Sequence, residues 1–120
     1  MDWIAVLRED ELPDGERRVV EVHGRSILVL HHQGQVYAVD NVCPHMGAAL
    51  DGGEVTDDGT IICPRHHSAF ELRTGNVREW APWPPGVSWI LGGISREKPL
   101  PVFATRVDEG SIWVGLTESP

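Results

Sequence analysis

The stretch VFATRVDEGSIWVGL, residues 102–116, decides the fold class. Ile112, Val114 and Leu116 alternate with their neighbours at the two-residue period of a strand that faces a core on one side. Asp108-Glu109-Gly110 interrupts the run with turn chemistry, so the stretch reads as a hairpin. The same grammar repeats toward the N-terminus. Residues 3–7, 19–22, 26–31, 36–39 and 61–62 are short runs rich in β-branched, aliphatic and aromatic side chains. Between them lie Pro13-Asp14-Gly15, His23-Gly24, Gln33-Gly34 and Asp57-Asp58-Gly59. No apolar spacing of helix length, internal repeat or low-complexity tract breaks this rhythm. The chain therefore reads as all-β, an antiparallel sandwich or small barrel. Tyr37 and Trp113 fall within strand patterns and are expected in the core. His23, His31 and His32 fall at turns and are expected to face solvent.

The sequence has 120 residues, 41% of them hydrophobic and 23% charged, which suits one globular domain over residues 1–120. A chain of this size buries roughly two-thirds of its surface on folding. Eighteen acidic residues against ten Lys and Arg give a net charge of −8, a surface that repels nucleic acid and anionic membranes. The longest aliphatic run, residues 27–30, falls far short of the roughly 20 apolar residues of a membrane helix. The opening MDWIAVLRED carries Asp2 in place of a basic region and lacks a signal-peptide core. These features predict a protein without membrane insertion, located in the cytoplasm. The acidic residues 9–11 read as a solvated face able to steer a basic partner.

Composition shifts over residues 80–100. Trp80, Trp83 and Trp89 stand among Pro82, Pro84, Pro85, Pro99 and the pair Gly92-Gly93. Pro and Gly at this density forbid a central strand, so an extended structured loop is expected. Its rings either pack back on the β-domain or stay exposed to dock a partner.

Two cysteines are too few for a disulfide framework, and each sits in a distinctive setting. Cys43-Pro44-His45 and Cys63-Pro64-Arg65-His66 both offer one thiolate and one imidazole, with a proline stiffening the turn between them. Thiolate plus imidazole is a ligand set for zinc or for an iron–sulfur centre. Zinc fingers usually place two cysteines in one half and two histidines, on a helix, in the other. Here each half is mixed and no helix follows, which favours iron–sulfur. Zinc, or two buried thiols beside incidental histidines, are the alternatives.

Around these ligands the segments CPHMGAAL, residues 43–50, and CPRHHSAFE, residues 63–71, followed by Thr74-Gly75, resemble the two cluster-binding boxes of Rieske iron–sulfur proteins. Residues 12–42 are similar to the leading strands of Rieske-type ferredoxins, and residues 101–116 to their closing hairpin. The resemblance implies one 2Fe–2S cluster per chain. Cys43 and Cys63 would bind one iron, and His45 and His66 the other. It also implies a small cluster-binding subdomain formed by two loops, about residues 43–50 and 63–75, on the β-domain.

The sequence departs from the Rieske subunits of cytochrome bc-type complexes. Ala48 and Arg65 stand where those subunits carry a second pair of cysteines, joined as a disulfide. Ser68 keeps the position of a hydroxyl that donates toward sulfur, whereas Phe70 replaces a donating Tyr and cannot donate. His67 follows a ligand where many relatives have Gly; it reads either as a group beside the cluster, able to titrate near neutral pH or to dock a partner, or as an exposed loop residue. No nucleotide or flavin fingerprint is present, nor the length for an oxygenase catalytic domain. The resemblance therefore implies a non-catalytic one-electron carrier, a soluble Rieske ferredoxin whose partners are a reductase and an electron acceptor. An electron-transfer subunit of an oxygenase or nitrite-reductase-like complex and a redox-sensing module are the alternatives.

Overall fold

The computed structural model describes residues 2–44, 47–65, 67–79 and 98–116. Its strands are β1 (Asp2–Arg8), β2 (Arg17–Val22), β3 (Arg25–His32), β4 (Gln35–Asp40), β5 (Glu54–Val55), β6 (Thr60–Ile62), β7 (Ala69–Glu71), β8 (Val77–Glu79), β9 (Val102–Asp108) and β10 (Ser111–Leu116). A 3-10 turn, Glu9–Glu11, follows β1 and carries the acidic residues on its surface. Three hairpins turn through two residues each: His23-Gly24, Gln33-Gly34 and Glu109-Gly110. In all three both turn residues have positive φ, the geometry whose twist matches that of the flanking strands.

The strands form two antiparallel sheets. The larger has the order β1-β10-β9-β4-β3-β2 and the smaller β5-β6-β7-β8. The larger sheet curls until its two edges, β1 and β2, line a common cavity of about 270 Å³. Inside the curl, Ile27, Val29, Ala38, Ile112 and Val114 form one core. On the outer face of β3 and β4, Leu28, Leu30 and Val39 join Leu50, Ile61, Phe70, Leu72 and Leu100 in a second. The unbroken run of residues 27–30 lacks alternation because both faces of β3 are covered.

Polar fasteners ring this second core. Arg17 Nη1 donates to the carbonyls of Asp51 (3.1 Å) and Gly53 (2.5 Å). Gln33 Nε2 donates to the Asp57 carbonyl at 3.1 Å, and Leu100 N to the Gly75 carbonyl at 2.9 Å. Gly75, at φ +79°, passes so close to Leu100 that a Cβ would collide with its carbonyl oxygen.

The all-β expectation holds, and three side-chain placements are corrected. Trp113 lies outside the core because Ile112 and Val114 take the inward positions; its Nε1 donates to the Asp108 carbonyl at 3.3 Å. His31 and His32 continue β3 and do not face solvent freely. The His31 side chain is 23% exposed, with Nδ1 2.8 Å from the Leu12 carbonyl, while His32 buries Nε2. Tyr37 is half-buried against the second core, and His23 is exposed at its turn as expected. Most of the extended Trp/Pro loop, residues 80–97, lies outside the described residues.

The close approach at Gly75 sets a test. Gly110 has a similar φ, +76°, in open space. Gly110→Ala is expected to cost only backbone strain, about 1–2 kcal/mol. Gly75→Ala adds the collision with Leu100, about 1–3 kcal/mol more. Thermal unfolding should rank Gly75→Ala below Gly110→Ala and both below the parent; equal Tm values for the two variants would contradict the close packing.

Candidate metal centre

Two turns of matching geometry set the two cysteines into one core. In the first, Cys43 N donates to the Ala48 carbonyl (2.7 Å) and Gly47 N to the Cys43 carbonyl (2.8 Å). In the second, Cys63 N donates to the Ser68 carbonyl (2.8 Å) and His67 N to the Cys63 carbonyl (3.0 Å). Each turn is closed by antiparallel pairing at its base, Val42 with Ala49 and Ile62 with Ala69. Gly47 and His67 occupy equivalent places and both are left-handed, at φ 75° and 63°. A β-carbon is disfavoured there, so His67 holds a conformation that glycine adopts at no steric cost.

The turns are fixed from behind. Asn41, 8% exposed, accepts Leu50 N–H through its backbone carbonyl (3.0 Å) and its Oδ1 (3.2 Å), and its Nδ2 donates to Ser26 Oγ at 3.2 Å. This clamps the exit of the first turn to the start of β3. The second turn needs no such clamp because it connects β6 to β7 directly. No sequence pattern singled out Asn41; a short amide two residues before a candidate ligand cysteine is the signal that marks it.

Cys43 and Cys63 are both buried and belong to the same apolar core, which also includes Phe70. Ser68, next to the second turn, is fully buried. His45 and His66 lie outside the described residues; in sequence, each falls between its turn's cysteine and its left-handed residue. Two thiols buried at the base of matched turns that also carry an imidazole each are a donor set that fits a two-iron cluster.

On the outer face of the small sheet a groove of about 720 Å³ reaches His67, with Asp58, Arg78 and Glu79 along it. The Thr56 hydroxyl donates to Asp58, and with the nearby Arg78 charge it holds that carboxyl below its usual range. Arg78 also bonds Glu71 at 3.0 Å. The wall is therefore a mixed network of charges.

Residues 2–101 match the model of the Rieske [2Fe-2S] domain family. The chain belongs to that family. It is 32% identical to a human Rieske domain-containing protein, over 98% of this chain and 76% of the human one. It is 30% identical to the ferredoxin subunit of a 3-phenylpropionate/cinnamic acid dioxygenase from Photorhabdus laumondii, over 98% of both chains. Among solved structures, the ferredoxin of carbazole 1,9a-dioxygenase from Nocardioides aromaticivorans IC177 matches with a TM-score of 0.77 and 26% identity, over 98% of this chain and all of that one. The Rieske domain described here thus carries a 2Fe–2S cluster and serves as a non-catalytic electron carrier. No helix among the described residues is long and apolar enough to cross a membrane.

The equivalence of Gly47 and His67 yields a discriminating substitution. His67→Gly relieves left-handed strain of about 1 kcal/mol and should leave Tm unchanged or slightly raised, with the visible absorbance of the cluster retained. A Tm lowered by several degrees would mean that the imidazole itself braces the turn.

Proposed function

We propose that Cys43 and Cys63 hold one iron of the cluster and His45 and His66 the other, and that the protein passes single electrons from a reductase to an oxygenase-type acceptor in the cytoplasm. The observation that carries this reading is the pair of matched turns with a buried cysteine at each base. The relative in the solved complex of reduced oxygenase and oxidised ferredoxin of carbazole 1,9a-dioxygenase supports the choice of acceptor class; it is 29% identical over 93% of this chain and 91% of that one, with a TM-score of 0.72. We take residues 1–120 as one domain. Cysteines used for ligation suit a reducing compartment.

The bound cluster supplies a one-electron couple. The chain supplies the setting for it. Buried thiolates favour the oxidised state, and neutral imidazoles leave their side more ready to accept charge. Ser68 provides a hydroxyl beside the Cys63 turn, while Phe70 provides apolar surface and no donor. A net charge of −8 further disfavours an added electron.

Purified protein is expected to be coloured and to hold about two irons and two acid-labile sulfides per chain. Cys43→Ser, Cys63→Ser, His45→Ala and His66→Ala should each lose the cluster or change its electron paramagnetic resonance spectrum. Colourless protein with one zinc per chain would overturn the ligand reading.

The potential gives a second check. With one sulfur-directed donor absent and an acidic chain, the midpoint should fall low in the Rieske range, roughly −150 mV to zero. Ser68→Ala should lower it further by about 30 mV, equivalent to about 0.7 kcal/mol for one electron. Voltammetry near +250 mV, or no shift in the variant, would contradict this account.

A further inference from the structure

The two ligand turns leave the chain at different points, and one side chain of the larger sheet bears on the junction between them. Arg17 on β2 stands directly across from Leu30 of β3, on the face that carries the second core. Its Nη1 has two hydrogens and directs them at two carbonyls, Asp51 at 3.1 Å and Gly53 at 2.5 Å. Both belong to the bend that follows the first ligand turn. Gly53 N in turn donates to the Leu50 carbonyl at 2.8 Å, and Leu50 is the residue that Asn41 clamps.

The other side of the bend rests on the strand that delivers the second cysteine. A Cβ on Gly53 would collide with the Ile62 carbonyl oxygen, and Ile62 immediately precedes Cys63. Glu54 and Val55 then pair with Ile62 and Ile61. The bend is thus a wedge, with a guanidinium on one side and the backbone leading to Cys63 on the other. Guanidinium donors keep their charge at any physiological pH, and their bonds to carbonyls are stronger than neutral ones.

We propose that Arg17 is a positioning residue for the 2Fe–2S cluster: by pinning the carbonyls of Asp51 and Gly53 it presses the bend against Ile62 and sets the spacing of the Cys43 and Cys63 turns. The proposal rests on the ligand reading given above. Groups that orient metal ligands tune both the affinity and the electronic character of the metal they surround. A residue that fixes ligand spacing therefore leaves a mark on the cluster's spectrum as well as on the stability of the fold. Arg17 is also the first link of a path that runs from the larger sheet, through the bend at Asp51 and Gly53, toward both cysteine turns.

The test compares Arg17→Met, which keeps the aliphatic stem and removes the donors, with Arg17→Lys, which keeps a charged donor on a shorter reach. Each holoprotein is reduced and its electron paramagnetic resonance g values, midpoint potential and loss of visible absorbance in excess EDTA are measured beside thermal unfolding. Arg17→Met is expected to shift the g values and to lose colour about threefold faster or more, below the 10- to 100-fold seen for groups bonded directly to ligands. Arg17→Lys should fall between it and the parent. Parental g values, potential and EDTA half-life in Arg17→Met overturn the proposal even if its Tm drops, since that pattern describes a merely structural arginine. A Lys variant displaced as far as the Met variant overturns it too. If Arg17→Met does not accumulate, Gly53→Ala forces the wedge from its other side, and a parental spectrum there has the same meaning. Cys43→Ser is the control: a normal cluster in that variant would defeat the ligand reading independently of Arg17.

Discussion

Four consecutive side chains of β3, Ile27 to Leu30, are sealed from water, and two cores depend on them at once. Ile27 and Val29 point into the curl of the larger sheet, while Leu28 and Leu30 point out of it and into the small sheet. Burying an aliphatic side chain of this size contributes about 1.5–3 kcal/mol, so the run stabilises both halves of the molecule through one strand. The consequence reaches the metal centre directly. Cys43, Cys63 and Phe70 belong to the core built on Leu28 and Leu30, and the two cysteine turns are therefore seated on the sheet. A carrier that must keep a cluster's geometry through repeated changes of charge gains from such a seat, because packed interiors yield little.

The two turns show how one backbone geometry can be reached with different side chains. Hydrogen bonds between the cysteine and the residues four and five places on recur in both. What differs is the support: the first turn is an excursion from the end of β4 held by the buried amide of Asn41, whereas the second is the connection of a short hairpin. The left-handed place is filled by glycine in one and by histidine in the other. His67 thus puts a polar ring at the mouth of a groove where the strict backbone requirement alone would have favoured glycine.

Much of this was legible in the residues. The longer strands announce themselves by alternation or by the two-residue turns between them, and Cys-Pro-His with Cys-Pro-Arg-His marks the two turns that carry the buried cysteines. The strands β5, β7 and β8 escaped because two or three residues carry no period. His31 and His32 were misjudged because they follow an apolar run, where a strand's end and a turn look alike; only the pairing of His31 with Val36 and His32 with Gln35 shows that the strand continues. Trp113 falls within a strand pattern, which suggests the core, whereas the period set by Ile112 and Val114 places it on the other face. The Arg17 and Gln33 fasteners join residues dozens of positions apart, and no local pattern records them. His45, His66 and most of the Trp/Pro loop lie outside the described residues.

The pairing of Ala38 with Phe103 and Val39 with Val102 places the end of β4 beside the start of β9. The chain leaves the larger sheet to form both cysteine turns and rejoins it at that one doorway. Asp40 N, bonded to the Pro101 carbonyl at 2.9 Å, closes the threshold. With both ends of the excursion fixed side by side, lengthening one of its exposed flexible turns costs little, about 0.6 kcal/mol of closure entropy per doubling. Its packed residues are another matter: Leu50, Ile61, Phe70, Leu72 and Leu100 share a core with Leu28 and Leu30, so trimming there would loosen the strand on which both sheets rest.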